Sequence, residues 1–248
     1  VSMKTGQQKI EVCFTPAVYS EFRNDNAIVV VVDILRATSA IITAFMYGAK
    51  RIIPVATLEE AKAYKEKGFI VAAERDGIKR DFADFGNSPF NFQQDFIRDK
   101  EIVYSTTNGT QCIMMAQNSY RVLIGGYLNI DALVKYITGC QRDVLILCAA
   151  WKNKFNLEDT LFAGALTEKL LHDKNYYTIC DSAHASVDLW NIARTDIMQY
   201  IDKAAQRHRL RKNNLDDVIG YCHTMNLTDI IPALKEHYLV KLSELDNK

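Results

Sequence analysis

Ala27-Ile28-Val29-Val30-Val31-Val32-Asp33-Ile34-Leu35-Arg36-Ala37-Thr38-Ser39 decides the reading of this chain. A run of apolar, β-branched residues ends in a single carboxylate. An arginine follows three residues on, then small and hydroxyl residues, then a helical pattern over 37–47 that stops at Gly48. The spacing predicts a buried strand whose end projects Asp33 and Arg36 into a strand-to-helix loop. Open α/β sheets bind ligands at that end of their strands. An acid and a cation there suit a metal-bound, anionic substrate. The competing reading is a helix-capping aspartate with a surface ion pair.

Working outward, further apolar runs fall at 10–14, 51–55, 70–73, 101–105, 121–125 and 143–149. Helical patterns lie between many of them. Thr57 is placed to cap a helix over 58–67, with Glu60 as its capping-box partner and Gly68 as its stop. This alternation predicts an α/β fold, a parallel or mixed sheet with flanking helices. Beyond about residue 150 the strand signals thin out. The pattern there predicts helices over 157–172, 182–206 and 215–221 and in part of 228–237, with Asp216-Asp217 starting one of them. With no repeat, linker or low-complexity tract, residues 1–248 read as one domain with a helical C-terminal third. Two interleaved α/β lobes are the alternative.

The 248 residues suffice for a well-buried core, and 48% hydrophobic with 24% charged residues is ordinary for a globular protein. A formal net charge of zero argues against a nucleic-acid groove or a basic membrane face. No apolar run approaches the roughly 18 residues of a membrane span. Residues 1–9 lack the basic-then-apolar order of a secretion signal. Cysteines 13, 112, 140, 148, 180 and 222 form no Cys-x-x-Cys and read as reduced thiols in a cytoplasmic protein. Cys222-His223 is a weak metal pair for want of further ligands.

Polar clusters follow the strands. They are Glu74-Arg75-Asp76-Gly77, Asp84-Phe85-Gly86-Asn87-Ser88-Pro89, Thr106-Thr107-Asn108-Gly109-Thr110, Leu128-Asn129 and Glu158-Asp159-Thr160. Each alone is explained by turns and caps. On one sheet edge, however, hydroxyls, amides and glycines turn N–H groups toward an anion, and neighbouring carboxylates suit Mg2+. That combination points to phosphoryl transfer or hydrolysis.

Several phosphoryl chemistries are excluded. The haloacid-dehalogenase pattern wants aspartate two positions after Asp33, where this chain has Leu35. A cysteine phosphatase wants arginine where Cys148 is followed by Lys154. There is no P-loop, no Gly-x-Gly-x-x-Gly and no Gly-x-Ser-x-Gly.

Taken in order, Asp-Ile-Leu-Arg-Ala-Thr-Ser (33–39), Glu-Arg-x-Gly (74–77), Asp-Phe-Gly-Asn-Ser-Pro (84–89), Thr-Thr-Asn-Gly-Thr (106–110), Leu-Asn (128–129) and Glu-Asp-Thr-Leu-x-Ala-Gly (158–164) resemble the 2-phosphosulfolactate phosphatase family, the ComB type. The resemblance implies an α/β fold particular to that family and a cytoplasmic, Mg2+-dependent phosphatase. The family reaction splits (R)-2-phospho-3-sulfolactate into 3-sulfolactate and phosphate, in methanogens as part of coenzyme M biosynthesis. Ala73 stands where the family usually has glycine, and Phe82-Ala83 where it often has Gly-Phe. These departures bear on substrate identity more than on reaction type. A different phospho-acid, and a non-catalytic anion binder, are the alternatives.

A polyanionic substrate needs local cations in a neutral protein, and Arg36 and Arg75 are placed to clamp oxyanions. Asp33, Glu74 and Asp159 are the expected Mg2+ ligands, directly or through water. Thr106, Thr107, Asn108, Gly109 and Thr110 are expected to bind phosphate. Asn87 and Ser88 would orient the substrate's far end, and Glu158 would accept a proton from an attacking water. The competing route is an aspartyl-phosphate on Asp33. The C-terminal helices are candidates to cover the site, with Arg194 or His184 reaching it. The expected partner is a small phospho-acid, with a homodimer as the default assembly.

Overall fold

The computed structural model describes residues 6–245. The first half runs β1 (Gln8–Cys13), α1 (Tyr19–Phe22), β2 (Ile28–Val32), α2 (Ala37–Met46), β3 (Arg51–Pro54), α3 (Leu58–Glu66), β4 (Ile70–Arg75), β5 (Ile78–Lys79) and β6 (Glu101–Ser105). Then come α4 (Gly109–Met115), β7 (Arg121–Gly125), α5 (Ile130–Cys140), β8 (Val144–Cys148), α6 (Leu157–Leu171) and β9 (Tyr176–Tyr177). The last part holds α7 (Asp181–Ala193), α8 (Ile197–Tyr200), α9 (Ala205–Lys212), α10 (Ile219–Cys222), β10 (Pro232–Lys235) and β11 (Tyr238–Lys241).

The strands form one mixed sheet in the order β5-β4-β6-β3-β11-β10-β7-β2-β8-β1-β9. Parallel strands β4, β6 and β3 lie to one side, and β7, β2, β8, β1 and β9 to the other. The antiparallel hairpin β10–β11 joins the two groups through Ala233↔Leu123 and Leu239↔Ile52.

Every residue of β2 is buried, as an unbroken valine run between two parallel neighbours should be. Its side chains alternate. Ile28, Val30 and Val32 enter a core with Leu133, Ile146, Phe162 and Leu166. Val29 and Val31 enter a second core with Ile41, Phe45, Ile52, Tyr104 and Leu147.

That second core takes residues from both strand groups, because α2 lies between them. Ala37 through Phe45 are all buried, so α2 is apolar or small all round. Its hydroxyls bond inward: Thr38 Oγ1 donates to Asp33 O (3.0 Å), Ser39 Oγ to Ile34 O (2.9 Å) and Thr43 Oγ1 to Ser39 O (2.8 Å). Residues at the carboxyl ends of β2, β4, β6 and β8 come together around one cavity.

The C-terminal third differs from expectation. The helix expected over 182–206 is broken into α7, α8 and the start of α9: the Asp196 side chain accepts from Gln199 N–H (2.9 Å) and starts α8, and Ala204 is extended (ψ 139°) before α9. Of 215–221 only the end is helical, and Asp216 and Asp217 lie in the turn before α10. Residues 232–241 are not helical but form the hairpin β10–β11. Its two-residue turn holds Glu236 at φ 55° in place of the usual glycine or asparagine, which removed the sequence signal.

Candidate active site

A narrow polar cavity of about 20 Å³ lies at the carboxyl ends of β2, β4, β6 and β8. That closed space holds a water molecule or a single ion, and its lining residues are shared with two larger grooves beside it, Arg36, Gly77 and Asn87 with one and Trp151, Asn156, Glu158 and Gln206 with the other. Of the residues singled out in the sequence, Asp33, Arg36, Glu74, Asn87, Thr107, Asn108 and Glu158 line it. The N-termini of α2, α4 and α6 converge here, and their N–H groups favour negative charge.

Asp33 takes part of each competing role. Its Oδ1 accepts from Ala37 N–H (3.3 Å) at the start of α2, as a capping residue would. The side chain also lines the cavity, and Arg36 is buried rather than paired with it on the surface. Arg36 reaches across to the other strand group. Its Nη2 donates to Gly77 O (3.0 Å) and Asn87 Oδ1 (2.6 Å), which fixes the guanidinium. Its Nη1 is buried without a partner.

Gly77 is in place because Asp76 and Gly77, at φ 56° and 82°, make the tight turn between β4 and β5. Glu74, just before this turn, is occupied by protein donors. Its Oε1 accepts from Thr107 N–H (2.7 Å) and Oγ1 (3.0 Å), and its Oε2 from Gly77 N–H (2.6 Å).

Asp159 is occupied too. Oδ1 accepts from Ile34 N–H (2.9 Å), and Oδ2 from Ala150 N–H (3.2 Å) and Asn156 Nδ2 (2.9 Å). It holds the β2–α2 and β8–α6 loops together and does not line the cavity. Glu158, one residue earlier, is the opposite case. Its Oε1 accepts one bond from Asn156 Nδ2 (3.3 Å), while its buried Oε2 has no partner.

Burial, with Asp33 nearby, pushes the Glu158 carboxyl up to about 7. Burial and then Glu158 push Asp159 up to about 7. Burial and then Asp159 raise Asp33 well above the usual carboxylate range.

Other expected ligands serve the scaffold. Thr106 and Thr110 bond each other across the start of α4: Thr110 N–H donates to Thr106 Oγ1 (3.3 Å) and Thr110 Oγ1 to Thr106 O (3.3 Å). Gly109 allows a close approach, since a Cβ there would lie 2.9 Å from Ala37 Cβ and 3.1 Å from Asp33 Oδ2. Asn108 lines the cavity and also bridges to the β8–α6 loop through Ala150 O (3.0 Å). Arg75 donates to the carbonyls of Glu74 and Ala56 and to Ser105 Oγ, and is not part of the lining. Ser88 lines an adjoining groove. Asn129 bonds Ile124 O and Ile230 O as a core residue.

Asn156, Trp151 and Gln206 line the cavity without having been singled out. Asn156 Oδ1 is buried and unpartnered. Only its place two residues before Glu158, at the start of a helix, could have flagged it. Gln206 comes from α9, where its Nε2 donates to Leu35 O (3.0 Å). That contact, rather than Arg194 or His184, brings the C-terminal helices to the site. Arg194 pairs with Glu168, and His184 is exposed.

The donors left for a metal are oxygens: Asp33, Glu158 and Asn156 Oδ1. Among the described residues no three His, Cys, Asp or Glu side chains converge as a ligand set. The expected trio of Asp33, Glu74 and Asp159 is not assembled, because Glu74 and Asp159 bond the loops. Cys222 and His223 are both buried, belong to no such group of three among the described residues, and His223 Nδ1 contacts Ile219 O (2.8 Å).

A family model described as 2-phosphosulpholactate phosphatase matches residues 13–237. The chain belongs to that family. Similar proteins carry the name probable 2-phosphosulfolactate phosphatase. One from Caldanaerobacter subterraneus subsp. tengcongensis is 35% identical over 211 residues, 84% of this chain and 87% of its own length. One from Pseudothermotoga lettingae is 34% identical over 233 residues, 94% of this chain and 98% of its own. One from Clostridium novyi is 32% identical over 235 residues, 93% and 97% respectively. The family is thus one of phosphoric monoester hydrolases, and its model spans all the loops that build the cavity. Among the described residues no helix is long and apolar enough to cross a membrane, and the six cysteines are free thiols.

Proposed function

We propose that this protein is a Mg2+-dependent phosphatase that hydrolyses 2-phospho-3-sulfolactate to 3-sulfolactate and phosphate. One observation carries the reading. Three buried polar atoms without protein partners, Arg36 Nη1, Asn156 Oδ1 and Glu158 Oε2, belong to residues lining one cavity, beside the Asp33 carboxylate. Buried polar groups are rarely left unpaired, and such a cluster marks a place where a ligand completes the bonding. A donor, two acceptors and a carboxylate together match a phosphate and a hard cation.

The oxygen-only donor set fits Mg2+, which accepts one or two carboxylates and completes its shell with water and phosphate oxygens. Asp33 would hold it, with Asn156 Oδ1. When bound, the ion offsets charge on the phosphoryl oxygens.

The remaining work falls to the chain's own groups. Arg36, braced by Gly77 and Asn87, donates Nη1 to a phosphoryl oxygen. The N-termini of α2, α4 and α6 add positive potential. A water attacks phosphorus while Glu158 Oε2 takes its proton, a role suited to a carboxyl raised to about 7. The bond from phosphorus to the C2 oxygen breaks, that oxygen takes a proton from a solvent water, and Glu158 returns its proton to the hydroxide so formed, so one water is consumed per ester split. The reading places the enzyme among soluble, cytoplasmic phosphatases of small phospho-acids.

The test is phosphate release from racemic 2-phosphosulfolactate beside 2-phospholactate and phosphoglycolate. Preference for the sulfonated ester supports the reading. Faster turnover of another phospho-acid would move the substrate while keeping the reaction. Acid quench during turnover of 32P-labelled ester should leave no label on the protein, whereas bound label would favour attack by Asp33.

A further inference from the structure

Beside the cavity, between the β8–α6 loop and α9, lies a groove of about 380 Å³. The two share Trp151, Asn156, Glu158 and Gln206, so the groove adjoins the cavity. Lys154, Lys203 and Arg209 line this groove against the single acid Glu158, in a protein whose net charge is zero. The positive potential is therefore local and adjoins the site that takes phosphate.

Arg209 is the fixed member of this set. Its Nε donates to Gln206 Oε1 (2.6 Å), and its guanidinium lies 4.4 Å from the centre of the Trp151 ring. Gln206 is in turn anchored to Leu35 O, in the loop that carries Asp33 and Arg36. The guanidinium is thus held at one edge and on one face, and among the described residues no hydrogen bond takes its Nη atoms. Lys203, by contrast, sits over the Tyr200 ring at 3.7 Å. A pre-organised guanidinium on an aromatic face binds a weakly hydrated oxyanion better than a mobile ammonium does.

We infer that this groove is a second anion subsite and that Arg209 is a specificity-determining residue, binding the substrate's sulfonate through its Nη groups while the phosphate occupies the cavity. The inference rests on the phosphatase reading for what fills the cavity, but not for the groove's own affinity. A sulfonate offers three oxygens and little basicity. It fits a guanidinium on an indole wall, with Lys154 and Lys203 at the rim.

The test compares wild type, Arg209→Gln and Arg209→Lys on 2-phosphosulfolactate and on 2-phospholactate, which lacks the sulfonate. In parallel, 3-sulfolactate binding is followed by titration calorimetry. Losing a charge-assisted pair should raise KM for the sulfonated ester about ten- to a hundredfold, with much less effect on kcat. The preference for that ester over phospholactate should fall by about tenfold or more, with Arg209→Lys intermediate. Calorimetry should show the same loss for 3-sulfolactate. A merely structural role would slow both esters by one factor and leave the preference intact, and that result would overturn the inference. If neither ester is turned over but 3-sulfolactate binds and Arg209→Gln abolishes binding, the subsite stands and the phosphatase reading falls. If Arg209→Gln does not fold, Arg209→Lys carries the comparison of preference.

Discussion

Asp159 Oδ1 accepts the backbone N–H of Ile34 at 2.9 Å, while the neighbouring Glu158 Oε2 has no partner at all. Two adjacent acids in the first turn of α6 thus do different work. One ties the loop beside Asp33 to the loop after β8, and the other is left for chemistry. Substitution should separate them. Asp159→Asn turns one acceptor into a donor against buried N–H groups and should cost about 2–4 kcal/mol of stability, with activity falling alongside. Glu158→Gln should keep stability within about 1 kcal/mol at pH 5, where the carboxyl is protonated, while kcat falls roughly 10²–10⁴-fold. Urea titrations and steady-state kinetics on the two variants check this.

The same acids set a pH dependence for the metal-free protein. Burial raises Glu158 from 4.5 to about 7 in the folded state. The folded protein therefore keeps a proton that the unfolded chain has released. This stability is fully present below about 4.5 and is lost as the pH rises through 7. Its size is at most about 3 kcal/mol, and Asp159 is coupled to it rather than additive. The urea midpoint without metal should fall between pH 5 and pH 8, and Glu158→Gln should flatten the trend. A midpoint that rises over this range would show that the carboxyl is stabilised in its charged form.

Glycines in two of the motifs give separable outcomes. A Cβ on Gly109 would press on Ala37 Cβ and Asp33 Oδ2 at 2.9 and 3.1 Å, so Gly109→Ala should shift Asp33 and lower kcat by about tenfold or more with the fold retained. A Cβ on Gly164 would lie 2.0 Å from Ser186 O, where α6 packs on α7. Gly164→Ala should therefore cost more than about 3 kcal/mol or prevent folding. Circular dichroism melts and soluble yield distinguish the two.

These glycines show what the sequence carried. The motif from Glu158 to Gly164 is one string, yet its first residue lines the cavity, its second staples loops and its last serves helix packing. A motif marks that residues are constrained without saying by what. The strands of the first 150 residues other than the short β5 were legible because their runs are apolar and bounded by turn residues. The Thr57–Glu60 capping box forms as read, with Glu60 N–H donating to Thr57 Oγ1 at 3.1 Å. The hairpin at 232–241 was not legible, because Glu236-His237 is no turn signal. Gln206 and Arg209 were hidden for another reason. They reach the site only through the folding of α9 over Leu35, a contact separated by 171 residues in sequence. Thr106, Thr110 and Arg75 looked like ligands because hydroxyls and guanidinium suit anions, but the backbone used them first.

The central claim is that Asp33 and a divalent cation act together on a phosphate ester in this cavity. The most direct measurement is phosphate release from 2-phosphosulfolactate by wild type and Asp33→Asn, each with Mg2+ and with EDTA. The account predicts release by wild type with Mg2+ only, reduced at least about 10³-fold in a folded Asp33→Asn. Full activity in EDTA, or in Asp33→Asn, would contradict it.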